Sequence, residues 1–211
     1  MLKEEIDKVV NPHYAKKPDL PKLINDGKVK EENLNHHEMH ELAKTYSDEK
    51  AIDWNEKAAE NGNICAILTL AEWYKNGIKT KKNLEKAFYW YQKAAEIGYN
   101  SAMFNLAICY YNGEGTEKNL EKAFNWIQKA AENGNDNAMS NLAFCYYNGE
   151  GMEKNLEKAF YWNQKAAEIG IVTAMSNLAF CYYNGEGTEK NLEKAFYWDQ
   201  KAAENGNDDA I

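Results

Sequence analysis

The chain has 211 residues, 44% apolar and 13% aromatic with only 3 prolines, which excludes wholesale disorder and fits one compact domain or one repeat array with a real core. Its formal charge is -8 and all 25 basic residues are lysine, so the concentrated basic face and arginine forks of a nucleic-acid binder are absent. No run approaches the length of a membrane span and the start, MLKEEIDKVV, is too charged for a signal peptide, so no membrane insertion is expected and a cytoplasmic protein is the default.

Residues 1–34 come first, with Leu2, Ile6, Val9 and Val10 at helical spacing before Asn11 and Pro12 break the pattern. This stretch reads as a helical cap or appendage. From residue 35 the chain repeats. Alanine recurs at Ala66, Ala102, Ala138, Ala174 and Ala210, and tryptophan at Trp54, Trp90, Trp126, Trp162 and Trp198, each 36 residues apart. The boundaries predicted are a short-loop repeat at 35–63, full repeats at 64–99, 100–135, 136–171 and 172–207, and the start of a further repeat at 208–211.

The short-loop repeat opens with Asn35 and Glu38 at capping-box spacing. Its Leu42, Ala43 and Tyr46 match Leu70, Ala71 and Tyr74, but eight loop residues are missing before Ala51, which predicts a tight turn at Ser47 and Asp48. Each full repeat reads as two helices. In the copy at 100–135, Ala102, Leu106, Cys109 and Tyr110 make the apolar face of the first helix, and Gly113 stops it. Asn119 caps the second helix, which is expected to bury Ala123, Trp126, Ala130 and Ala131 before Gly134 ends it. The small alanines let helices approach closely, and one tryptophan per repeat is expected to fill the space between neighbours. At the far end Phe196 and Trp198 are expected to lack a covering helix, which points to self-association through that open edge.

The pattern Ala-x3-Leu-Ala-x2-Tyr, then Gly-x-Gly, then Lys-Ala-x2-Trp-x2-Lys-Ala-Ala-x2-Gly resembles the Sel-like repeat family, relatives of tetratricopeptide repeats with a longer loop. The likeness covers about residues 36–211. It implies an all-α fold, a right-handed αα superhelix of about five helical hairpins, and a non-catalytic role as adaptor or scaffold, including signalling. The alternative it implies is a regulatory or activator subunit of a kinase-like or membrane-synthase system. Thr116, Met152 and Thr188 stand where the family usually has valine, and Asn119, Asn155 and Asn191 where it usually has aspartate.

Enzyme and cofactor chemistry finds little footing. Cys109, Cys145 and Cys181 fall one per repeat at one helical position, too far apart for disulfides when helices pack roughly 10 Å apart, and they read as buried small hydrophobes. His36, His37 and His40 surround Glu38, but the spacing fails the His-Glu-x-x-His test and no third ligand follows, so solvent-facing helix residues are expected and no metal. The Gly-x-Gly loops at Gly113, Gly149 and Gly185 lack a preceding strand and a third glycine, so they are turns and not phosphate cradles. NGEGTEKNLEKA ends in alanine where a calcium loop needs glutamate. Ser140 and Ser176, the residues a hydrolase reading would invoke, recur inside helices far from any histidine. No cofactor is expected.

A second apolar stripe runs opposite the core face of the first helices. Phe104, Ile108 and Tyr111 form it in one repeat, Phe144 and Tyr147 with Ser140 in the next, and Phe180 and Tyr183 with Ser176 in the last, flanked by Asn105, Asn141 and Asn177. The family resemblance implies that these helices line a concave surface where peptides or partner helices bind. Packing between adjacent first helices is the competing account of the same rings.

Overall fold

The computed structural model describes residues 19–46 and 49–206. The predicted helix through Leu2 and Val10 with its break at Asn11 and Pro12, the turn at Ser47 and Asp48, and the alanine at Ala210 lie outside them. Among the described residues all regular structure is helical, and no helix is long and apolar enough to cross a membrane. The chain divides into two units between Lys82 and Asn83.

The first unit holds α1 (Leu20–Asn25), a 3-10 turn (Glu31–Asn33), α2 (His36–Thr45), α3 (Glu49–Glu60) and α4 (Ile64–Asn76). Leu20, Ile24 and Val29 pack against a core of Leu34, Leu42, Ala43 and Trp54, so α1 and the turn cover the outer side of α2 and α3. The capping box forms in both directions. Asn35 Oδ1 accepts from the Glu38 amide at 3.0 Å, and the Glu38 carboxylate accepts from the Asn35 amide at 2.8 Å. Asn63 caps α4 by accepting from the Ala66 amide, and its Nδ2 donates to the His36 carbonyl at 2.8 Å, which ties the start of α4 to the start of α2.

The second unit is a run of seven helices, each of 13 residues: α5 (Leu84–Glu96), α6 (Asn100–Asn112), α7 (Leu120–Glu132), α8 (Asp136–Asn148), α9 (Leu156–Glu168), α10 (Val172–Asn184) and α11 (Leu192–Glu204). Each packs on the next in chain order, the nearest-neighbour stacking of a solenoid. Asn83, Asn119, Asn155 and Asn191 each cap the helix that follows by accepting an amide proton from its first turn, from Lys86, Lys122, Lys158 and Lys194. Alanine and leucine make the seam: Ala102, Leu106, Ala138, Leu142, Ala174 and Leu178 are fully buried. Successive repeats are keyed by edge-on aromatic pairs, Phe88 with Tyr110, Phe124 with Tyr146 and Phe160 with Tyr182, at 5.2 to 5.3 Å between centroids.

The tryptophans do not behave alike. Trp54, Trp90 and Trp162 are buried, whereas Trp126, expected in the core, is only half-buried, as is Trp198. Phe124 and Ile127 take the buried places of α7 instead. Tyr89 and Tyr161 lay their rings edge-on against Trp90 and Trp162 at 5.0 and 5.5 Å. Asn125 stands in the matching place beside Trp126, but Tyr197 makes the same contact with the half-buried Trp198 at 5.3 Å, so the tyrosine alone does not bury the indole. Leu192 and Phe196 on α11 are 57% and 72% exposed.

The two glycines of each loop have different duties. Gly113, Gly149 and Gly185 end the first helices in the left-handed conformation. The second glycine meets the preceding repeat. A Cβ on Gly115, Gly151 or Gly187 would fall 2.0 to 2.2 Å from the carbonyl oxygen of Leu84, Leu120 or Leu156. The loop therefore lies directly on the first residue of the preceding repeat's second helix, an approach only glycine allows.

Candidate interaction face

The expected stripe lies along α6, α8 and α10. On α6, Phe104, Asn105, Ile108 and Tyr111 are all half-buried. On α8, Phe144 is 50% exposed, with Ser140, Asn141 and Tyr147 half-buried around it. On α10, Phe180 is 50% and Tyr183 58% exposed, and Asn177 is exposed beside them. Packing between neighbouring first helices thus leaves half of each phenylalanine to solvent.

Two of the tyrosines have a second commitment that the sequence did not reveal. The carboxylate of Glu150 near Tyr111 and that of Glu186 near Tyr147, each on the loop of the next repeat, hold both phenols above their usual range, with burial second. Their rings border the stripe, and each carries a lysine ammonium over it, Lys118 at 5.4 Å from the Tyr111 centroid and Lys154 at 4.9 Å from that of Tyr147. The asparagines are also oriented. Asn105 Nδ2 donates to the Ser101 carbonyl at 3.1 Å and Asn141 Nδ2 to the Asn137 carbonyl at 2.8 Å.

Helical periodicity also hid an outer set of rings. Tyr89, Tyr161 and Tyr197 on the second helices are about half exposed, and Ile97 and Ile169 at the ends of α5 and α9 are 57% and 52% exposed. A wheel drawn for the second helices places them away from the alanines, which is the signal that would have found them.

Most chemistry-bearing residues are packed or committed, the exposed free thiol of Cys65 being an exception. Cys109, Cys145 and Cys181 are buried free thiols. Burial, with a smaller contribution from Glu150 or Glu186, pushes Cys145 and Cys181 up to about 11, the opposite of an activated nucleophile. The Ser176 hydroxyl donates to the Val172 carbonyl one turn back. The histidine segment departs from its expected solvent-facing placement: His40 and Glu38 are buried, His36 is half-buried and only His37 is exposed. The reason is that each buried group has a partner. His40 Nδ1 lies 2.7 Å from Asn55 Oδ1 on α3, and the Glu38 carboxylate turns back onto the Asn35 amide. Among the described residues no three His, Cys, Asp or Glu side chains come together as metal ligands. An open cleft of about 780 Å³ in the first unit has Ile24, Val29, Met39 and Trp54 at its floor. Lys57 crosses its rim, 4.4 Å from the Trp54 ring centroid and 3.7 Å from Glu31.

The Sel1 repeat model matches residues 42–63, 66–99, 100–135, 136–171 and 172–207. Among solved structures, the chain is similar to c5321, a protective antigen of uropathogenic Escherichia coli displaying an SLR fold, at 27% identity and a TM-score of 0.79. That likeness covers 90% of this chain and 41% of the antigen's chain, so this chain spans less than half of that relative. A Sel1 repeat protein from Oxalobacter formigenes is similar at 29% identity and a TM-score of 0.78, over 90% of this chain and 81% of its own. No curated protein matches the chain.

Proposed function

The chain belongs to the Sel1 repeat family, and on that premise we propose that it is a non-catalytic adaptor that binds a partner protein or peptide along the first-helix face of its second unit. Sel1 repeat proteins are generally protein-interaction scaffolds. The observation that carries the reading is the pair Phe144 and Phe180. Two large rings at the same register of successive repeats each keep 50% of their surface exposed, although the stack around them has its own complete seam of Ala138, Leu142, Ala174 and Leu178. Half-exposed aromatic rings anchored on rigid helices are the usual centre of a binding surface.

The face comprises Phe104, Ile108, Tyr111, Phe144, Tyr147, Phe180 and Tyr183, with Asn105, Asn141 and Asn177 along its edge. Its test is the double substitution Phe144→Ser and Phe180→Ser, serine being the residue already present one turn back at Ser140 and Ser176. A partner recovered with the parent chain, then purified, should bind this variant at least tenfold more weakly while helicity and melting stay close to the parent. Gln128→Ala with Gln164→Ala on the second helices, where each glutamine is bonded to a glutamate one turn on, should leave binding unchanged. Equal binding by the double phenylalanine variant moves recognition elsewhere. Unfolding of that variant shows instead that the rings hold the stack.

A further inference from the structure

We infer that the outer edge of α11 is a second docking surface, one that takes an amphipathic helix of a partner protein carrying a lysine or arginine among its apolar residues. The inference is independent of the first-helix face. It rests on what the earlier repeats bury at the same places.

In the second unit α5, α7 and α9 each pack on the first helix of the next repeat. Across that junction Phe88, Phe124 and Phe160 set their rings edge-on against Tyr110, Tyr146 and Tyr182, and a loop glycine lies on the carbonyl of Leu84, Leu120 or Leu156. The same two places on α11 are Leu192 and Phe196. Among the described residues no helix covers them, and exposure rises from 7% at Phe124 to 72% at Phe196. α11 thus presents one half of an interface whose other half, at each earlier junction, is a helix.

That half differs from the earlier ones in charge. The place held by Tyr91 on α5, Ile127 on α7 and Asn163 on α9, each at most 4% exposed, is Asp199 on α11. Asn163 shows what this place faces, because its amide stands beside the Cys181 thiol of the next repeat, where it counters part of the upward push of burial and of Glu186. Among the described residues no lysine pairs with Asp199. Lys201 lies instead over the Tyr197 and Trp198 rings, 5.1 and 5.3 Å from their centroids. Burial alone already holds the Asp199 carboxyl above its usual range.

The combination selects the occupant. A solvated end cap would have a polar outer face, yet Leu192 and Phe196 stay apolar and exposed on either side of the turn that leads to Asp199. A helix of this chain's own repeat pattern would set a cysteine opposite the carboxylate, as Cys109, Cys145 and Cys181 stand on α6, α8 and α10. It would bury the charge without a counter-charge. A helix with a base at that position supplies the counter-charge, and its apolar residues cover Phe196 and Leu192 in the helix-on-helix manner of the earlier junctions.

The test uses the full chain and fluorescent, stapled helices with the sequence of residues 172–184, one carrying Cys181→Lys and one Cys181→Ala, read by anisotropy. The lysine helix is expected to bind about tenfold more tightly than the alanine helix. In the full chain, Asp199→Asn should erase that preference without altering the melt or the affinity for the alanine helix. Asp199→Lys should transfer the preference to a Cys181→Glu helix, and Phe196→Ser should weaken all of them. Equal affinity of the lysine and alanine helices, a preference that survives Asp199→Asn, or no binding at millimolar concentration overturns the inference. Loss of binding in Phe144→Ser with Phe180→Ser, with Asp199→Asn inert, moves the helix to the first-helix face and overturns it too. So does dimerisation of the parent chain in sedimentation that Phe196→Ser abolishes, because a second copy then fills the edge.

Discussion

Gly151→Ala isolates the contact that fastens one repeat to the next. Gly151 has φ +76°, and a Cβ there would stand 2.2 Å from the Leu120 carbonyl oxygen, 2.7 Å from its carbon and 3.0 Å from the Phe124 Cβ. Two costs follow. The left-handed conformation costs an alanine about 1 to 2 kcal/mol. Relieving the clash requires the loop to lift by about 1 Å from backbone that cannot yield, an overpacking cost of about 1 to 3 kcal/mol. Gly134→Ala separates the two, because Gly134 has φ +84° and nothing within 4 Å of its Cβ position. Gly149→Ala falls between, its Cβ being 3.2 Å from the Lys154 amide nitrogen. In urea unfolding followed by circular dichroism, Gly134→Ala is expected to lose about 1 to 2 kcal/mol and Gly151→Ala about 2 to 5 kcal/mol. Lifting the loop also draws Tyr146 from Phe124, so quenching of Trp126 should rise in Gly151→Ala and not in Gly134→Ala. If the two variants agree within about 0.5 kcal/mol, the close approach carries no energy and the repeats are held by side chains alone.

Two further outcomes follow from burial. Trp162→Ala should cost about 3 to 5 kcal/mol as a buried aromatic truncation, and Trp126→Ala distinctly less, since its ring is already half in water; equal losses in urea titrations would refute the division among the tryptophans. Burial holds the His40 imidazole below its usual 6.5, against the hydrogen bond to Asn55 Oδ1 that raises it, with Lys44 and His37 lowering and Glu41 raising it further. The unfolded chain therefore takes up this proton first, so the stability His40 contributes to the first unit is present above 6.5 and is lost as pH falls below that value. Unfolding midpoints measured from pH 7.5 to pH 5 should drop in the parent and drop less in His40→Gln, and identical slopes would remove His40 from the account.

The helices and their ends were legible because their causes are local. Asn119 and Gly113 act on amides and carbonyls within a turn, and the spacing of Ala102 and Leu106 reports one helical face. What escaped the sequence depends on a partner distant along the chain. The duty of Gly151 is set by a carbonyl of the preceding repeat, and the Tyr111 phenol is raised by the Glu150 carboxylate of the next. His40 is buried because Asn55, 15 residues on, receives it. The unequal tryptophans are a subtler case, since Trp162 and Trp198 each have a tyrosine edge-on at 5.5 and 5.3 Å, yet only Trp162 is buried.

The repeats themselves separate what the stack requires from what it leaves open. At the seam Ala102, Ala138 and Ala174 are identical, as are Leu106, Leu142 and Leu178, and as are Cys109, Cys145 and Cys181. All nine are buried. Close packing explains the uniformity, because a change of one methylene there is felt by both neighbours. On the opposite side of the same helices Phe104 becomes Ser140 and Ser176, and Ile108 becomes Phe144 and Phe180. A stack that needed those side chains for its own cohesion would hold them as constant as the leucines. Their size instead changes by a whole ring between α6 and α8, α10 repeating the residues of α8, while the asparagine beside them stays at Asn105, Asn141 and Asn177. Apolar side chains that differ in size between repeats suit a surface that selects a partner's side chains by shape. A partner whose apolar residues are re-spaced by one position should therefore lose its fit to Phe144 and Phe180, so shifting the apolar anchors of a peptide that binds this face by one residue is expected to weaken it far more than exchanging its polar residues for other polar ones.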